Sequence, residues 1–340
     1  MKHRRFLLVL VASLALVTAQ NASAGDPVTG AGSTFAEKVI NQWAGDVAPQ
    51  GVSVTYTGTG SGDGRLELIN GEVDFAASDL PAPTADADKL KARYGGFVHA
   101  VITSAGIAVV YNVPGLTELK LTGPTLAKIF SGTITNWNDP AIALDNGGPG
   151  PDQPIKVIVR ADKSGSSGVF SGYLEAAGEG NWTGGTTENF PAPANGEGRQ
   201  GGGALAQAVA DTPGAVGYID HGGAMAKSLA EVKVRNAAGA NVGPDPEGVR
   251  QAIDEAKQNP DGTLTLTYKP KAAGAYPIST VSYVIAPNKM PAAKHETFKA
   301  FLTHGLSKGG QDSVLGLGYA PLSEALAAFS QQQADQIAAG

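Results

Sequence analysis

Short stretches of strand-like pattern alternate with segments of helical period along this chain. Val52 to Thr57 switches between apolar and polar at every position, as a half-buried strand does. Val73–Ala77, Gly106–Tyr111, Ile155–Val159 and Val281–Ile285 complete the clearest set of predicted strands. Helical patterns fall between them, at 36–43, 66–69, 126–130, 169–176, 204–210 and 298–306. This β-α alternation predicts an α/β protein with largely parallel or mixed sheets. Ligands of such sheets sit beyond the carboxyl ends of strands, where loops lead into helices. The segments 145–154 and 181–203 are dense in glycine and proline and read as surface loops. No repeat of solenoid period interrupts the pattern.

The first 24 residues stand apart. Lys2, Arg4 and Arg5 precede an apolar run from Phe6 to Ala19, and Ala22-Ser23-Ala24 offers a small-residue cleavage site. This is the pattern of a secretory signal peptide, too short to span a bilayer. With 340 residues the chain exceeds what one hydrophobic core usually serves, so two lobes are expected. There is no cysteine. An exported protein without disulfides needs a large, self-sufficient core, and without cysteine it has no lipid anchor, so free diffusion in a bacterial periplasm is expected.

Charge narrows the partners. Beyond the leader the chain carries 22 basic and 31 acidic residues, a net of −9. Such a field repels nucleic acid and anionic membranes. An anion could be bound only by short-range groups.

Three strand-to-helix junctions offer such groups. They are Gly30-Ala31-Gly32-Ser33-Thr34-Phe35, then Gly58-Thr59-Gly60-Ser61-Gly62-Asp63-Gly64, then Arg160-Ala161-Asp162-Lys163-Ser164-Gly165-Ser166-Ser167-Gly168. Each places glycines and hydroxyls where a helix begins. The first N–H groups of a helix lack internal partners and carry partial positive charge, which favours an anion. Each loop alone is equally consistent with ordinary capping: Thr34 with Glu37 fits a capping box, and Ser61 or Ser164 could be N-caps. Three together in one acidic chain point to a shared ligand. Arg160 can grip two oxygens of an oxyanion, oriented by Asp162, or form only a surface pair with it. Asp79, after Phe75-Ala76-Ala77-Ser78, is either an N-cap for the segment after Pro81 or a test of the ligand. A carboxylate repels a fully ionised anion and accepts only from one that carries a proton. Phosphate does; sulfate at neutral pH does not. Such a group can discriminate by ~10⁴–10⁵.

Enzyme patterns are weak. His295-Glu296 is not followed by the second histidine of a zinc-protease helix, no loop reads as a nucleotide-phosphate loop, and none of the three junction loops reads Gly-x-Ser-x-Gly. No catalytic residue, cofactor or metal is expected.

Taken together these segments resemble the periplasmic phosphate-binding proteins of bacterial high-affinity ABC uptake systems, which are type II periplasmic solute-binding proteins. The likeness runs from Gly30–Phe35 through Phe75–Asp79, Ile134–Asp139, Arg160–Ser166 and Pro213–Tyr218 to Tyr276–Thr280. It implies two α/β lobes, each a mixed sheet flanked by helices, with phosphate in the cleft between them. Residues 25–100 with 280–340 would form one lobe and 101–279 the other. It implies donors at Thr34, the Phe35 amide, Ser61, Ser164, the Gly165 amide and Ser166. Asp79 would accept the ligand's proton, and Arg160, held by Asp162, would pair with its oxygens. Ser166 stands where the family commonly has Thr, and Ala36 where it has Pro. The implied partners are inorganic phosphate and the permease and ATPase subunits of an ABC importer, the protein itself acting as a monomer. A binding protein for sulfate, molybdate or tungstate and a secreted phosphatase are the alternatives.

Overall fold

The structure is a computed structural model and describes residues 25–340; the expected signal peptide lies outside the described residues. Its frame is a mixed sheet. The strands are β1 (Val28–Gly32), β2 (Val54–Gly58), β3 (Phe75–Ser78), β4 (Phe97–Asn112), β5 (Lys156–Arg160), β6 (Gly196–Arg199), β7 (Ala215–Asp220) and β8 (Ser279–Pro287). They lie in the order β2-β1-β3-β8-β4-β7-β5-β6, and a short ninth strand, Ala230–Glu231, pairs with β4. β1 is parallel to β2 and β3, while β5 is parallel to β6 and β7. β8 is antiparallel to both its neighbours. The result is two parallel fans joined through an antiparallel centre.

β4 makes the join. Phe97 to Gly106 pair with β8, and Ile107 to Asn112 pair with β7. Its residues from Val98 to Tyr111 are all buried, which suits a central strand of β-branched residues covered on both faces. The predicted strand Gly106–Tyr111 is therefore only the second half of a strand of 16 residues. The other predicted strands and all the predicted helices are present with shifted ends.

Helices α1 (Glu37–Val47), α2 (Ser61–Asn70) and α3 (Thr84–Tyr94) follow β1, β2 and β3. Val39, Ile40, Trp43 and Val47 form the buried stripe of α1, at helical spacing. Trp43 packs on Phe301 of the helix Ala292–Leu306 and donates its indole N–H to Gly310 O at 2.9 Å. On the far side Trp137 is equally buried and donates to Gly214 O at 3.0 Å. Each tryptophan thus fills a core and satisfies its one polar atom.

Candidate anion-binding site

The carboxyl ends of β1, β2 and β3 face the carboxyl end of β5, and the three predicted loops meet there. Gly60 closes the second loop with φ +109°, and a Cβ on it would stand 2.7 Å from Asp162 Oδ2. Only glycine permits both the backbone angle and the approach. Gly62 N–H then donates to Lys163 O at 3.0 Å, joining the second loop to the third.

Ser61 opens α2, and its hydroxyl accepts the Asp79 N–H at 3.3 Å. The N-cap of α2 is Gly60, so the capping reading of Ser61 does not hold. Nor does the capping box: Glu37 accepts Gly58 N–H at 2.9 Å, and Ala36 N–H donates to Ser33 Oγ at 3.1 Å. Ser164 does cap its helix, Gly165–Ala177, accepting Ser167 N–H at 3.3 Å. Gly165 follows, close enough that a Cβ on it would lie 2.4 Å from Ser61 Oγ and 2.9 Å from Asp79 Oδ2. Thr34 lies against the start of the helix Gly201–Asp211, where a Cβ on Gly202 would be 3.4 Å from its Oγ1. Phe35 is fixed on both counts. Its ring meets Tyr319 edge-on at 5.4 Å, and its carbonyl accepts the Tyr319 hydroxyl.

Asp79 sits at the centre and is 3% exposed. It caps no helix, since the residue before α3 is Pro83. Ser33 and Ser282 donate to its Oδ1, the latter at 3.1 Å, and Ser166 donates to Oδ2 at 3.3 Å. Thr280 Oγ1 holds the Asp79 carbonyl at 3.2 Å. Burial pushes the carboxyl up to about 6, against the pull of the Ser33 and Ser282 hydrogen bonds and of Arg160. Nearby Asp220, itself buried and raised by burial, pushes the same way.

Arg160 and Asp162 are 4% and 5% exposed, so theirs is a buried pair and not a surface one. Arg160 donates through Nε to Asp162 Oδ1 at 2.7 Å and through a terminal nitrogen to Oδ2. Gly201 N–H donates to the same Oδ1 at 2.9 Å. The fork therefore spends one edge of the guanidinium on Asp162 and leaves the other edge for a second acceptor. Tyr218 anchors the base of this loop, its hydroxyl accepting Arg160 N–H at 3.2 Å and lying 2.7 Å from Ser167 Oγ. Among the described residues no group of three His, Asp or Glu side chains is placed to hold a metal.

Every predicted residue thus belongs to one locus. Sequence reasoning missed Ser33, one residue before Thr34, and Ser282, which sits at a register shift between β8 and β4. The shift is a local irregularity that no residue pattern announces, whereas the Ser33 hydroxyl lay inside a loop already singled out.

The chain matches the model of the PBP superfamily domain over residues 17–308. The phosphate-binding protein PstS2 of Mycobacterium bovis is 36% identical over 314 residues, covering 87% of this chain and 83% of that protein. PstS 3 of Mycobacterium leprae is 34% identical over 303 residues, covering 85% and 80%. Among solved structures, the periplasmic phosphate-binding protein PfluDING, bound with phosphate, superposes with a TM-score of 0.77 at 21% identity, covering 90% of this chain and 93% of that one. A phosphate-binding protein from Stenotrophomonas maltophilia gives 0.74 at 20% identity, covering 90% and 93%. These two likenesses speak for the two-lobed fold, and the mycobacterial sequences speak for the family. This chain belongs to the PBP superfamily and, within it, to the family of the phosphate-binding proteins PstS.

Proposed function

We propose that this protein binds inorganic phosphate, as HPO4 or H2PO4 ion, in the cleft and delivers it to the permease and ATPase of an ABC importer. It does so as a monomer in the periplasm. The observation that carries the reading is Asp79, a buried carboxylate ringed by hydroxyl donors at the one place where all three loops meet. In water-poor surroundings an ionised carboxylate excludes any anion that brings no proton to share. Its Oδ2 would accept the phosphate hydroxyl, while Arg160, steadied by Asp162, pairs with two phosphate oxygens. Thr34, Ser61, Ser164 and Ser166 would donate by hydroxyl, and Phe35 and Gly165 by amide. Ser166 keeps the donor of the more usual threonine and loses a methyl, which alters packing and not recognition. The ligand would lie between one lobe of residues 25–100 with 280–340 and another of 101–279. In support, β4 exchanges β8 for β7 as partner at Gly106–Ile107, a few residues past that boundary.

Sulfate, molybdate and tungstate lack the proton that this arrangement asks for, and the family is one of binding proteins, which leaves phosphoester hydrolysis without support. The test is isothermal titration of protein freed of anion by unfolding and refolding. Phosphate should saturate one site at pH 8 and sulfate should give no heat. Asp79→Asn, whose amide can donate where the carboxylate repelled, should keep phosphate and admit sulfate. Equal affinity of the native protein for both ions sinks the assignment, and a variant that still ignores sulfate sinks this account of selectivity.

A further inference from the structure

Arg65 is a guanidinium with no exposure at all, and nothing in the binding of an anion uses it. It sits one helical turn after Ser61 on α2. Its fork is filled: Nε donates to Asp86 Oδ2 at 2.9 Å, one terminal nitrogen to Ser78 Oγ at 2.8 Å and to Glu188 Oε1 at 3.0 Å, and the other to Glu188 Oε2 at 2.6 Å. Ser78 is the neighbour of Asp79. Glu188 comes from the glycine- and proline-rich loop on the other side of the cleft, and its backbone carbonyl accepts Ser164 N–H at 3.0 Å. The pair therefore ties together the two loops that flank the anion, from outside the site.

A fourth charge completes the group. Lys163 Nζ stands 3.8 Å from Glu188 and 4.0 Å from Asp86. Arg65 and Asp86 belong to the half built on β1, β2 and β3; Lys163 and Glu188 belong to the half built on β5. Each half thus holds one cation and one anion. If the halves separate, Arg65 retains Asp86 and Glu188 retains Lys163, so neither side strands a lone charge, which is the costly outcome for a buried pair. When the halves meet, Glu188 gains a bidentate contact available only in that register. We propose that Arg65 and Glu188 form an ionic clasp across the cleft that holds the two lobes shut and slows release of the bound anion, while Asp86 and Lys163 balance the charge left on each half when it opens. They are positioning residues and touch no ligand.

The clasp as a closing device stands on these contacts alone; its effect on release rests on the phosphate reading above. The absence of cysteine makes a clean distance measurement available. Spin labels on Lys89→Cys and Glu179→Cys, both exposed and on opposite halves, report lobe separation by pulsed electron resonance without any ligand. Glu188→Gln should move the distribution to longer distances. Asp86→Asn, which leaves the bridging pair intact, should not. Coincident distributions for Glu188→Gln and the native sequence overturn the clasp, and so does equal widening by Asp86→Asn, which marks general loosening. In stopped flow with inorganic phosphate, Glu188→Gln should release at least ~tenfold faster while associating within about threefold of the native rate, as expected for the loss of a desolvated charge pair. Release within twofold of the native rate overturns the kinetic part. A native protein that takes up no phosphate sinks the phosphate reading, while the label distances still decide the clasp.

Discussion

Asp79 holds its proton to about pH 6 in the folded chain, against an ordinary value of 3.8. Between those values the folded state binds more protons than the unfolded one. Stability from this group is therefore fully present below pH ~4 and is lost as pH rises through 6. A shift of about two units corresponds to ~3 kcal/mol, an upper figure for a buried group whose surroundings can relax. On the proposed reading, a ligand that offers Asp79 a hydrogen bond recovers this loss. Asp79→Asn should remove this dependence, so the ligand-free variant should exceed the native protein in stability at pH 7.5 by about 1–3 kcal/mol. At pH 3.5 the two should nearly agree. Urea midpoints at both pH values measure the difference, in which the other titrating groups cancel. Among these is buried His99, which desolvation lowers to about 4 and whose Nε2 accepts Ala82 N–H at 3.1 Å. A constant difference between variant and native across this range would mean that Asp79 is not desolvated as its burial implies.

At the scale of elements, most strands of strong pattern were legible, though not the first half of β4 or β7, and those of weak pattern were not. β1 was invisible because two of its five residues are glycine, and it is held by pairing on both edges and not by propensity. α3 buries Leu90 alone among its residues, which leaves no periodic stripe to read. The hairpin of Lys257–Gln258 with Leu264–Thr265 falls within 101–279, yet Leu264 N–H donates to Tyr283 OH at 3.0 Å on β8. Sequence position does not reveal such a return. The junction loops were legible because their chemistry is local: glycines and hydroxyls at helix starts are needed whatever packs around them. What the sequence could not distinguish was capping from convergence, since both ask for the same residues. Gly165 separates the two. Its backbone angle suits alanine, which helices prefer to glycine by up to ~1 kcal/mol, so a capping loop should accept Gly165→Ala. Yet the added methyl would stand 2.4 Å from Ser61 Oγ across the cleft. Gly165→Ala should leave ligand-free stability within ~1 kcal/mol of native and weaken phosphate at least ~tenfold, or about 1.4 kcal/mol. Unaltered affinity by titration calorimetry would show that the loops do not converge in solution.

The whole molecule must admit an anion against a net charge of −9 over residues 25–340. Long-range steering cannot help, so affinity has to come from groups assembled at contact and from burial of the ion after entry. That requires the halves to part and close about a defined axis. The chain passes between them along β4 and again just before β8, and these passages are pinned where the ladder changes partner. Ile107 N–H donates to Ile278 O at 2.8 Å, and the buried Tyr276 hydroxyl donates to Ile107 O at 2.8 Å. Bonds so close to the axis should survive rotation, while the cross-cleft contact of Gly62 N–H with Lys163 O should break and re-form. Small-angle scattering should then show the radius of gyration falling toward the ~20 Å of a compact chain of this size when phosphate is added, with no change on adding sulfate at pH 8. Tyr276→Phe loosens the pivot and leaves the loops untouched, so it should broaden the ligand-free ensemble while the phosphate-bound profile stays native. Superimposable native profiles with and without phosphate would mean that the ion enters a preformed site and that β4 is a rigid spine and not a hinge.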